Sequence, residues 1–117
     1  MSTFQAHCGF VTDAADVRLM VSTLLGNNKI ARAAHNIMAY RIVRSNGSVL
    51  SDCDDDGEDA AGGRLLHLLD MRGVRNACVV VTRWYGGIHL GPDRFKHINN
   101  VARLALEQAG HVQAPKS

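Results

Sequence analysis

Cysteine, aromatic residues and long apolar runs are all scarce in this 117-residue sequence, and each shortage removes a class of protein. The three cysteines, Cys8, Cys53 and Cys78, are odd in number, far apart and in no paired spacing. They fit neither a disulfide framework nor a zinc knuckle, and they point to a reducing compartment, the cytosol by default. No stretch approaches the roughly 20 consecutive apolar residues of a membrane helix, and the first residues lack the basic-then-apolar order of a signal peptide. No membrane partner is therefore expected. There is no internal repeat and no linker, so residues 1–117 are read as one domain, long enough to build a core without staples.

Charge is balanced in total but not in place. The formal net charge is +2, yet six of the 11 acidic residues (Asp52, Asp54, Asp55, Asp56, Glu58 and Asp59) fall within eight positions. That leaves 13 basic residues against 5 acidic ones elsewhere, a local surplus of +8. The chain is dipolar along its length.

Hydrophobic periodicity sets the elements. Phe4, Ala6, Cys8 and Phe10 alternate with Thr3, Gln5, His7 and Gly9, the period of a strand with one buried face. Asp13 and Asp16 resemble a capping box with a shorter acid, and Val17, Met20, Val21 and Leu24 carry a helical stripe to the stop at Gly26-Asn27. Two strands, about 36–43 and 48–52, flank Asn46-Gly47, a pair that supplies the positive backbone angles of a tight hairpin. Ala61, Leu65, Leu68 and Leu69 mark a second helix ending at Gly73, with Asp56 as its expected N-cap. Residues 76–82 read as a fourth strand. Pro92 to Ala109 reads as a last helix, with Phe95, Ile98, Ala102, Ala105 and Ala109 at helical spacing. The order βαββαβα predicts an α+β two-layer sandwich with a mixed four-stranded sheet.

One stretch concentrates chemistry. Val79, Val80 and Val81 form a β-branched run that leads into Arg83-Trp84-Tyr85-Gly86-Gly87 and then Gly91-Pro92, where Arg94 and Lys96 open a helix. Cations beside the amides of a helix start suit an anion. Pairing of Arg83 and Arg94 with the acidic run is an equal alternative. Trp84 and Tyr85 either cover the rim of the core or stack on bases. Gly62 and Gly63, each costing about 1 kcal/mol in a helix relative to alanine, imply close packing or a ligand.

Several tempting motifs fail on spacing. Asp52-x-Asp54-x-Asp56-Gly57 begins like a calcium loop, but Ala60 and Gly63 stand at its ninth and twelfth positions, so the acids read better as helix caps than as metal ligands. Gly86-Gly87-x-x-x-Gly91 matches neither the dinucleotide nor the phosphate-loop pattern, and no cofactor is implied. Cys8 or Cys53 with His35 could be drawn as nucleophile and base, but nothing in the sequence brings them together. No catalytic residue is assigned.

Arg83-Trp84-Tyr85-Gly86-Gly87-Ile88, followed by Leu90-Gly91-Pro92-Asp93-Arg94-Phe95, resembles the signature of the IMPACT/YigZ family. Ala33-Ala34-His35-Asn36-Ile37 with Ala39-Tyr40-Arg41 resembles its first motif, and Asp55-Asp56-Gly57-Glu58 with Ala60-Ala61-Gly62-Gly63-Arg64-Leu65-Leu66 its second. Ala34 departs from the hydroxyl or thiol residue usual before that histidine. The Trp-Tyr and Pro-Asp-Arg-Phe-Lys-His-Ile-Asn variants look like the eukaryotic branch. The resemblance implies the fold of a ribosomal protein's C-terminal domain and of elongation-factor domain IV. It also implies a non-enzymatic module that restrains the starvation-activated kinase of translation initiation factor 2 by competing for its ribosome-bound activator, with an association with actin. Direct RNA or ribosome binding is the alternative, and a small hydrolase the outsider. The RWD domain of eukaryotic relatives and the second domain of bacterial ones lie outside the chain, which is then a fragment or a minimal member. The expected binding surface comprises His35, Arg41, Asp56, Gly57, Glu58, Gly62, Gly63, Arg64, Arg83, Trp84, Tyr85, Gly86, Gly87, Gly91, Arg94 and Lys96.

Overall fold

The computed structural model describes residues 2–87 and 90–113. Its elements run β1 (Thr3–Phe10), α1 (Ala14–Leu25), α2 (Asn28–Ala31), β2 (His35–Val43), β3 (Val49–Asp54), α3 (Ala61–Met71), β4 (Ala77–Trp84) and α4 (Asp93–Gln108). Ile88, within the signature, lies outside the described residues. The α+β class and the predicted order hold, with one short helix more than expected. Asn27 makes that extra helix: its Oδ1 accepts from Lys29 N–H and Ile30 N–H, which opens α2 one residue after α1 has stopped.

The four strands lie in the order β1-β4-β2-β3, and every neighbouring pair is antiparallel. The expectation of a mixed sheet is therefore corrected. Each helical crossover, β1 to β2 and β3 to β4, skips one strand, so parallel strands never become neighbours. Central β4 has partners on both edges, and both of its faces are covered, which is why Ala77 through Arg83 are all buried.

Alternation along the strands builds two cores. Ile37, Ala39, Val79 and Val81 meet Leu65 and Leu69 of α3 and Ile98, Ala102 and Leu106 of α4 on one face. Tyr40, Ile42, Cys78 and Val80 meet Val17, Met20, Val21 and Leu24 of α1 on the other. Helices thus cover both faces, making three layers where the element order alone suggested two. Among the described residues no helix is long and apolar enough to cross a membrane.

Local details differ from the expected caps and turns for identifiable reasons. Asp13 does cap α1 through Asp16 N–H, but Asp16 reaches back one residue beyond the box, accepting from Thr12 N–H and Thr12 Oγ1. Those bonds hold the Asp16 carboxyl below its usual range. In the β2–β3 turn only Gly47 has positive φ (86°), while Asn46 Oδ1 accepts from Ser48 N–H and Oγ. The N-cap position of α3 is Ala60, not Asp56. Asp55 does what was expected of Asp56, its Oδ1 accepting from Gly62 N–H at 2.6 Å. Gly62 is glycine because a Cβ there would sit 2.5 Å from Asp55 Oδ1 and 3.0 Å from backbone atoms of Asp54 and Asp55. A Cβ on Gly63 would meet nothing within 4 Å. Close packing explains the first glycine only.

Candidate functional site

β2 and β4 pair His35 with Arg83 at one end of the sheet, and both side chains project on the α3–α4 side. The loop between β3 and α3 brings Glu58 to the same place. It can do so because Asp56, Gly57 and Ala60 take φ of 46°, 84° and 66°, which folds the loop back over the strand ends. Glu58 is only 5% exposed, and it forms an ion pair and hydrogen bond with Arg83, itself 2% exposed. Arg94 of α4 supplies a second cation, its Nε 2.7 Å from Glu58 Oε1. Arg94 also donates from Nη1 to Gly91 O at 2.7 Å, tying the helix start to the loop before it.

The two arginines thus satisfy an internal anion. Of the two expectations held open for them, pairing with the acidic run is the one observed. Four more acids of the run are used locally: Asp52, Asp54, Asp55 and Asp56 accept from the backbone N–H groups of Cys53, Asp56, Gly62 and Asn36 in turn. Among the described residues no group of three or more His, Cys, Asp or Glu side chains could hold a metal ion.

His35 closes the cluster. Its Nδ1 lies 2.8 Å from Asp56 O and its Nε2 lies 3.0 Å from Tyr85 Oη, with Glu58 Oε2 3.8 Å from Nε2. A carbonyl oxygen can only accept, so Nδ1 carries a proton. In the neutral ring Nε2 is then an acceptor and the Tyr85 hydroxyl donates to it. Tyr85 nonetheless remains 54% exposed, with the Arg83 guanidinium 4.5 Å from its ring centroid. A cation beneath an exposed aromatic face, with the hydroxyl anchored to a histidine, fixes the orientation of the ring. Gly57, Glu58, Asp59, Arg83, Tyr85 and Arg94, with Leu90 and Gly91, line a cleft of about 320 Å³.

Other expected residues go elsewhere. Trp84 points to the opposite face, where its Nε1 donates to Lys29 O at 2.9 Å and Lys29 Nζ lies 5.7 Å from its ring. It fastens α2 to the sheet. Arg41 pairs with Ala77 six residues along β2 from His35, roughly 20 Å away by strand rise. There it donates to Val74 O and lies 3.3 Å from Asp70. Arg41 does not join the cluster. Gly62 packs on the Asp54–Asp55 backbone. Gly63 and Arg64 line a separate groove of about 580 Å³ with Cys53, Ala60, His67 and Asn99. Arg64 and Arg94 both lie against the Phe95 ring, at 4.2 and 4.4 Å. Gly87 (φ 89°) is exposed on the loop, Gly86 is half-buried there, and Lys96 is exposed on the first turn of α4.

The thiols stand apart from His35. Burial raises Cys8 and Cys53, with Asp52, Asp55 and Asp54 adding to the effect at Cys53, and burial with nearby Cys8 pushes Cys78 up to about 12. None has the environment of an activated nucleophile.

Asn36 is a connector that the strand periodicity does not reveal, although an asparagine this early in a strand is unusual enough to signal one. Its N–H donates to Asp56 Oδ2, its Nδ2 to Ile30 O, and its Oδ1 accepts from Thr82 Oγ1. It joins the acidic loop, α2 and β4.

Comparison with known proteins agrees with this architecture. The Xenopus tropicalis protein IMPACT-B is 59% identical over 114 residues, covering 97% of this chain and 36% of its own length. Homo sapiens protein IMPACT is 55% identical over 116 residues, covering 98% and 36%. The chain therefore spans about 36% of the length of these curated relatives. Among solved structures, the two-domain translational regulator Yih1 is similar with a TM-score of 0.67 at 46% identity, over 94% of this chain and 43% of that one. A hypothetical protein gives a TM-score of 0.81 at 28% identity, over 92% and 52%. The model of the Impact N-terminal domain matches residues 1–106, and the chain belongs to that family.

Proposed function

We propose that this chain is a non-enzymatic binding module of translational control that engages a protein partner through the cleft around Tyr85. Membership of the Impact N-terminal domain family and the likeness to Yih1, a translational regulator, support the setting. The observation that carries the choice of a protein over RNA is the bridging of Arg83 and Arg94 by buried Glu58. Phosphate binding needs cations free to exchange counterions, and here the two central ones already have a carboxylate. What the cleft offers outward is an oriented, exposed tyrosine, the kind of anchor that dominates protein interfaces.

In the finer form of this reading, the module restrains the starvation-activated kinase of initiation factor 2 by competing for its ribosome-bound activator, and it works in the cytoplasm. Actin is a further partner on the same grounds of resemblance. Direct RNA or ribosome binding is the second reading, favoured by exposed Lys96 and the surplus of basic residues outside the acidic run.

Capture of partners from a cytosolic extract, with and without ribonuclease, separates the two. Ribonuclease-insensitive capture that Tyr85→Ala reduces about tenfold or more is expected. Tight RNA binding whose steep salt dependence flattens in Lys96→Ala would sink the protein-docking reading.

A further inference from the structure

A second surface lies on the other face of the sheet. Between α1–α2 and the β2–β3 side of the sheet runs a groove of about 270 Å³, walled by Val21, Leu24 and Leu25 of α1 and floored by Met38 and Val80. Ala31 and Ala33 keep it open on the α2 side, being too small to fill it. Its far end is closed by Asp54 and Asp56, and among the described residues no lysine or arginine lines it. Strand alternation explains the composition. Met38 pairs with Asp54 across the β2–β3 ladder, so the Asp54 carboxylate emerges on the α1 side beside an apolar floor.

Both carboxylates are only partly used. Asp54 Oδ1 accepts from Asp56 N–H and Asp56 Oδ2 from Asn36 N–H, and neither is in an ion pair among the described residues. An apolar trough ending in two carboxylates without a counter-charge complements one kind of side chain. Arginine and lysine lay three or four methylenes along apolar surface and carry a cation at the tip. Leu25 at the rim is 43% exposed and would be covered by an aliphatic residue next to that cation. Met38 in the floor, unbranched and adaptable, can follow the shape of an inserted stem.

We infer that this groove docks a protein segment presenting an arginine or lysine beside an aliphatic residue, the cationic side chain lying along Met38 and Val80 with its head at Asp54 and Asp56. The site goes beyond the cleft around Tyr85, since it lies on the opposite face and takes a cationic side chain where the cleft offers an aromatic anchor. Asp56 links the two. Its carboxylate closes the groove while its carbonyl oxygen holds His35.

The test titrates a capped Leu-Arg-Ala-Leu peptide into the isotopically labelled chain and follows backbone amide shifts. Saturable shifts at Val21, Leu24, Ile30, Asn36 and Met38 are expected, with about fivefold weaker binding when the peptide's arginine is replaced by leucine and none when it is replaced by glutamate. Ala31→Trp places bulk on the α2 side of the groove, leaves both carboxylates in the sequence and should abolish the shifts. Asp54→Asn keeps the oxygen that accepts from Asp56 N–H and should weaken binding about fivefold. Tyr85→Ala should leave peptide binding unchanged, so failure of the cleft reading and failure of this one are separable. Shifts that ignore the peptide's charge, shifts that map to Tyr85 and Arg94, or self-association that Ala31→Trp blocks would each overturn the assignment.

Discussion

The two faces of the sheet are packed to different standards. Against α3 and α4, Ile37, Leu65, Leu69, Val79, Val81, Ile98 and Leu106 are all at most 1% exposed, and the buried Glu58–Arg83 pair sits at the end of the same layer. Against α1, only Val17 of the helix is fully buried, while Met20, Val21, Leu24 and Met38 are partly open. The first face fixes geometry and the second leaves room. A cleft that depends on the tautomer of a histidine belongs on the rigid side, and a trough for a flexible side chain belongs on the adaptable one.

The rigidity of the α3–α4 face depends most on Glu58. Glu58→Ala leaves the Arg83 guanidinium buried with no counter-charge and should cost about 3–5 kcal/mol in denaturant unfolding, with Glu58→Gln costing less because one hydrogen bond survives. A loss below about 1 kcal/mol would mean that water reaches Arg83 and that this end of the rigid face is not rigid. Leu69→Ala should follow at about 2–5 kcal/mol, against about 1 kcal/mol for half-buried Val21→Ala. Equal losses would erase the distinction between the faces. Gly62→Ala places a methyl against the Asp55 carboxylate and nearby backbone, for about 1–3 kcal/mol.

The smallest effect is at Cys78, which lies under α1. Its thiol is raised, so the neutral form is the one the fold favours. The associated stability is complete below the ordinary value of 9.0 and declines as pH rises toward about 12. At pH 8 a thiol reagent should therefore leave Cys78 unmodified until the protein unfolds. Rapid labelling of Cys78 in the native state would show that α1 lifts from the sheet far more readily than its packing implies.

Much of this was legible in the chain. The alternation in β1, the stripes of α1 and α4 and the Val79–Val81 run gave the elements within a few residues, because burial imposes those periods directly. The convergence of the Asp56–Glu58 loop with Arg83 was readable from opposite charges. What escaped needed three dimensions. The sheet's antiparallel pairing depends on which strand each crossover skips, which no local pattern encodes. Gly62 and Gly63 look alike in sequence, yet only one meets a neighbour. Trp84 and Tyr85 are adjacent, so a strand end sends one to α2 and lets the other leave the sheet. The transfer of the capping role from Asp56 to Asp55 follows from positive φ values that a run of carboxylates does not announce.

The skipped strand also has a consequence for how the chain is made. β4 is the last of the sheet's four described strands in chain order, but it fills a central slot between β1 and β2. Until residue 84 has emerged, β1 has no partner, the β2–β3 hairpin shows a bare edge, and α1 and α3 have only that hairpin to pack on. Apart from the β2–β3 hairpin, every strand pairing in the sheet involves β4 and is long in sequence, so the nascent domain stays open until one short segment slots in. A fragment ending at residue 76 should accordingly lack cooperative unfolding and bind a dye specific for exposed apolar surface, whereas supplying 77–113 in trans should close it like a key in a waiting lock.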